Sequence, residues 1–103
     1  MSSLRMPQSL VRRLGEPGDA VLRYELMEEQ ANSLGRAGRK VEAALKALAE
    51  HPGGESRGPV LKAAADAVWG FFVQREVMGL RDRNAVIAQY GIPREVLVRL
   101  GAR

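Results

Sequence analysis

Apolar residues recur along the chain with helical spacing. From Tyr24 they fall at Tyr24, Met27, Ala31, Leu34, Gly38, Val41, Leu45 and Leu48, alternating steps of three and four. That is a heptad seam held over more than three heptads, and it predicts a long helix over 19–50 that packs along this edge. Asp19 is suited to cap its start and Glu16 adds negative charge there. His51-Pro52-Gly53-Gly54 stops it. Gly35 and Gly38 are weak helix formers, and a turn at Leu34–Gly38 is the competing reading. The seam keeps its phase across both glycines, which favours one continuous helix with Gly38 as a point of close approach.

The breaks divide the rest of the chain. Residues 1–18 form a leading segment, in which Pro7 opens a short helix with Leu10, Val11 and Leu14 on one side and Arg12 and Arg13 on the other. Gly15, Pro17 and Gly18 interrupt it. Residues 51–58 form a connector that reverses the chain. A second long helix is expected over 59–90, with Pro59 at its first position, Ser56 upstream as a cap and Gly91 as its stop. A short helix over 93–100 turns Val96, Leu97 and Leu100 inward. Both long helices run to 32 residues at these bounds, which predicts an antiparallel hairpin.

Composition carries this further. Alanine supplies 14 of the apolar residues and aromatics only 5, so a two-helix hairpin has little to fill its interior. Such hairpins usually gain a core by pairing into a four-helix bundle, and a homodimer with two-fold symmetry is the expected assembly. The fold class expected is therefore all-α: a long antiparallel helical hairpin with short terminal helices, in a dimeric bundle.

The centre of the second helix proposes the interface. At 100° per residue, Trp69, Phe72, Glu76, Gly79, Arg83, Val86 and Tyr90 share a face, with Leu80 and Ile87 beside it. If two copies cross antiparallel near Gly79 and Leu80, Glu76 of one faces Arg83 of the other, Phe72 faces Ile87, and Trp69 faces Tyr90. Such ion pairs set register more than stability. The competing reading is that both charges reach solvent or bond within their own chain.

Chemistry is sparse. There is no cysteine and a single histidine, His51, so thiolate metal sites, disulfides and cysteine nucleophiles are excluded and a multi-histidine site within one chain is too. No catalytic pair, phosphate loop or metal spacing appears. No catalytic residue, cofactor or metal is assigned. Arg75, Glu76, Arg81 and Arg83 could bind an anionic metabolite in a bundle cleft. Chorismate mutases use arginine and glutamate in this way, but the likeness stops at size and helix content. His51, at the end of the first helix, suits a capping role as a cation.

Net charge is +4, with +1 up to Pro52 and +3 beyond. That is a mild bias, weaker than the concentrated patch of a nucleic-acid binder. The segment 85–100 has helix–glycine turn–helix form, with Arg94 and Arg99 as its DNA-facing cations. Glu95 opposes them, Ile87 stands where a small residue is usual, and a plain capping helix is the favoured reading. No apolar run nears the roughly 20 residues that span a bilayer, and the start lacks the apolar run of a secretory signal, so a cytoplasmic protein without membrane contact is expected.

Three stretches carry a family resemblance: Tyr24–Met27 leading to Leu34–Arg39, then Phe72–Glu76 with Gly79–Asp82, then Tyr90–Val96. They resemble a family of short, uncharacterised, all-helical bacterial proteins of unknown function. The resemblance implies a bacterial cytoplasmic setting and supplies no activity or ligand. The expected role is a homo-oligomeric structural or protein-interaction module without catalytic activity, its partners a second copy and a further protein. The alternatives are weak nucleic-acid binding through the C-terminal helices and a small helical enzyme acting on an anionic metabolite.

Overall fold

The computed structural model describes residues 17–102. The leading segment expected over 1–18, with its short helix from Pro7, lies outside the described residues except for Pro17 and Gly18. Among the described residues there are four helices and no strand: α1 (Pro17–Glu50), α2 (Arg57–Val77), α3 (Arg83–Tyr90) and α4 (Arg94–Leu97). Of these residues, 17–33 belong to one compact unit and 34–102 to another.

In the first unit, α1 begins earlier than expected. Pro17 and Gly18 are its first helical residues instead of breaking the chain. Proline is favoured in a first turn, where its missing N–H has no intrahelical acceptor to lose. Asp19 therefore sits inside the first turn, not at the cap, and its carboxylate accepts from Arg23 Nη1 at 2.6 Å. The side of the helix that carries the heptad seam is open here. Tyr24 is 67% exposed and Met27 64%, and Ala31 is exposed as well.

In the second unit the same seam is inside. Val41 and Leu48 are buried, Gly38 is buried, and Leu34 and Leu45 are half-buried against the core. Gly35 and Gly38 are both helical, so no turn interrupts α1. The opposing wall is α2, which buries Leu61, Ala64, Ala65, Ala67, Val68, Phe71 and Phe72. Val86 of α3, Ile92 and Val96 close the core.

The second long helix expected over 59–90 is two helices. α2 ends at Val77 because Gly79 takes up φ +83°, a conformation strained for any residue with a Cβ. The end is a Schellman motif. Leu80 N–H donates to Arg75 O at 2.8 Å and Gly79 N–H to Glu76 O at 2.9 Å. Asp82 then caps α3, its carboxylate accepting from Ala85 N–H at 3.2 Å. At its other end α2 starts at Arg57, so Pro59 is its third residue. The connector is correspondingly 51–56, shorter than the expected 51–58.

This break lets α3 pack back onto the core. Tyr90 meets Phe71 edge to face, ring centroids 5.4 Å apart. Its hydroxyl reaches α1, where a Cβ at position 38 would lie 2.6 Å from it. Gly38 is thus the point of close approach read from the seam. α3 ends at Gly91 as expected, with Ile92 N–H donating to Ile87 O at 3.1 Å. The terminal helix expected over 93–100 is reduced to one turn, Arg94–Leu97, followed by isolated turns to Gly101. α4 packs on α2.

Candidate functional site

The residues assigned to an interface on the second helix gather at the α2–α3 corner, and most are used by their own chain. Phe72 is 1% exposed. The Arg83 guanidinium lies 4.8 Å from the Phe72 ring centre and 6.0 Å from that of Trp69. Its Nη2 donates to Glu76 Oε2 of the same chain at 3.3 Å. Ile87 and Tyr90 pack against the core. Trp69 and Leu80 are left partly open, 41% and 42% exposed. The arrangement in which Glu76 faces Arg83 across a two-fold axis needs an unbroken helix through Gly79. With α2 ending at Val77, the charges pair across the corner instead.

The corner also engages two of the three cations considered for an anionic metabolite, Arg75 and Arg83, while Arg81 is exposed. Arg75 stacks over Phe71 at 5.9 Å and donates to the Asp82 carbonyl at 3.4 Å. The signal for this corner was present as Gly79-Leu80-Arg81-Asp82, a helix stop followed three residues later by a helix cap.

A cleft of about 590 Å³ opens between the ends of α1 and α3, lined by Glu42, Lys46, His51, Arg57, Tyr90 and Glu95 among others. Its charges are largely matched. Arg57 and Glu95 form a bidentate pair, at 2.6 and 3.0 Å, joining α2 to α4. Hydrogen bonding to Arg57 holds the Glu95 carboxyl below its ordinary 4.5, and the same bond raises the Arg57 guanidinium. Lys46 lies 3.9 Å from Glu50.

His51 departs from the capping role. Its Nδ1 accepts from Gly53 N–H at 3.0 Å, which leaves Nε2 to donate to Ser56 Oγ at 3.0 Å. The ring therefore pins the connector through both of its nitrogens. Ser56 occupies the cap position of α2 but makes no side-chain cap bond.

Arg94 and Arg99 are exposed at the chain end, around a helix of four residues whose Glu95 is tied to Arg57. Among the described residues no group of three or more histidine, aspartate or glutamate side chains could hold a metal. No helix among them is long and apolar enough to cross a membrane.

Among the described residues the upstream seam of α1 is exposed, with Val21 beside it at 50% and Leu26 on another side of the helix at 58%; Val77 and Val98 are exposed as well. Tyr24, Met27 and Ala31, expected as part of a helix-packing seam, are exposed. Periodicity alone gives no sign of where along a seam the partner ends.

The fold and this surface define a small all-helical protein with an open apolar helix face. The chain belongs to the family of unknown function DUF6665, whose sequence profile matches residues 2–103. This bears out the resemblance to an uncharacterised family. No curated protein matches the chain, and no solved structure matches it.

Proposed function

We propose that the protein is a homo-oligomeric interaction module without catalytic activity, whose copies meet along the upstream seam of α1. One observation carries this: Tyr24 and Met27, two-thirds exposed, continue the heptad pattern that buries Val41 and Leu48. Large apolar side chains repeated at seam positions are the pattern by which helices pair. The dimer read from the sequence is kept, and its interface moves from the α2–α3 corner to α1.

A protein partner is favoured over nucleic acid because Arg94 opens a single helical turn, Arg99 follows it, and Glu95 lies between them. The bacterial cytoplasm is the proposed setting, supported by the cysteine-free composition and the family resemblance.

Light scattering tests the reading. The expected mass is about 23 kDa, twice the 11.3 kDa of the chain. Met27→Glu should return it to the mass of one chain with its helical circular dichroism intact. A wild-type mass of one chain at every concentration would overturn the reading. A dimer that survives Met27→Glu would remove this interface.

A further inference from the structure

We propose that two copies of the chain join in parallel along Ala20–Ala31 of α1, with Arg23 of each copy paired to Glu28 of the other. The proposal rests on the self-association reading and adds its orientation and its charge contacts.

The heptad frame fixes the positions. With Tyr24 and Ala31 at a, Ala20 and Met27 fall at d. Val21 and Glu28 are then at e, and Arg23 and Gln30 at g. In a parallel pair, each g residue lies beside the e residue five positions later on the other helix, and these contacts set orientation and partner choice. Arg23 and Glu28 are separated by five and carry opposite charge. Two-fold symmetry therefore gives two attractive pairs, one on each side of Tyr24 and Met27. An antiparallel pair sets g against g and e against e. In a register centred on this stretch it sets Arg23 beside Gln30 and Glu28 beside Val21, so neither charge gains an opposite partner.

The groups are available for this. Glu28 is exposed and makes no ion pair among the described residues. Arg23 is held by Asp19 of its own helix at 2.6 Å, with its side chain 66% exposed. An exposed pair of this kind is cheaply shared or exchanged, and a guanidinium has donors for two carboxylates. Ala20 and Ala31 keep the two backbones close, while Tyr24 and Met27 supply the apolar bulk between them. The paired stretch has a natural lower limit, because from Gly38 onward the same edge of α1 is buried in the chain's own core.

The absence of cysteine makes orientation directly readable. Ala20→Cys and Ala31→Cys are made separately, with Asn32→Cys, off the seam, as the control. In parallel helices every seam residue faces its own counterpart. In antiparallel helices a residue meets its counterpart only at the crossing point, and positions 20 and 31 are about 16 Å apart along the helix. The expected result is disulfide-linked dimer from both seam variants under mild oxidation, at least ten-fold faster than from the control.

Linkage of only one seam variant, or of neither, in a protein whose mass is that of a dimer overturns the parallel arrangement and leaves self-association standing. A mass of one chain without linkage overturns both. The charge contacts are tested alongside. Glu28→Lys should weaken the dimer at least five-fold at low salt, and Arg23→Glu combined with Glu28→Lys should restore it. A double variant no tighter than the single one overturns the pairing.

Discussion

The two stretches of α1 follow one heptad rule and meet opposite surroundings. From Leu34 to Leu48 the seam lies against α2 and the α3 corner, and Val41 is fully buried. From Tyr24 to Ala31 the same spacing is open to solvent. A heptad seam thus records a capacity to pack, and its surroundings decide where that capacity is used. In the second unit Gly79 stops α2 and α3 turns back onto the core.

The sharpest way to break the contrast is a truncation on each side. Phe72→Ala should cost about 3–5 kcal/mol of stability, as emptied aromatic core sites do. Met27→Ala, measured by urea unfolding at concentrations where the chain is a single copy, should stay within about 0.5 kcal/mol. An equal loss from both would mean that the upstream seam is packed after all.

The two glycines of α1 sharpen the comparison further, because they should respond with opposite sign. Gly38→Ala places a methyl group against the Tyr90 hydroxyl, and Tyr90 is held by Phe71, so about 1–3 kcal/mol should be lost. Gly35→Ala meets only the flexible end of Arg39 at 3.4 Å and should gain about 0.5–1 kcal/mol from helix propensity. Thermal midpoints of the two variants are the check.

Gly79→Ala should lose about 1–2 kcal/mol from forcing a Cβ into the left-handed region. If it instead raises helical content with no loss of stability, the corner is not what ends α2.

The smallest effect is electrostatic. Glu95 is shifted down when folded, so its contribution is present above the ordinary carboxylate range and is lost as pH falls through the lowered value. The difference in urea midpoint between wild type and Glu95→Gln should therefore be constant near neutrality and vanish at pH values well below 4.5. Added salt should shrink it, since the pair is partly exposed.

Much of the helical layout was legible in the residues. The phase of the seam across Gly35 and Gly38 was enough to keep α1 whole, and Gly91 ended α3 where its position indicated. The corner at Gly79 was hidden because its flanks, Val77 and Leu80, continue the apolar content of a helix on both sides. Only the backbone conformation of one glycine and the cap supplied by Asp82 distinguish a turn from a continuation. The pairing of Glu76 with Arg83 could be read from helical spacing as a contact with another chain. Across a turn, the same seven-residue separation brings them together in one chain. The role of His51 depended on which ring nitrogen faces the connector, and this is decided by the fold of Gly53 and Ser56.

Trp69 is the single tryptophan of the chain, and its ring lies under Arg83 and beside Gly101, where a methyl group would touch it at 3.9 Å. Its fluorescence is therefore a report on the periphery of the second unit more than on its interior. Release of the chain end or opening of the α2–α3 corner would wet the indole and shift its emission to longer wavelength while Phe72 stayed enclosed. Emission and far-ultraviolet circular dichroism followed together would separate fraying at that edge from collapse of the core, with no label added to the protein.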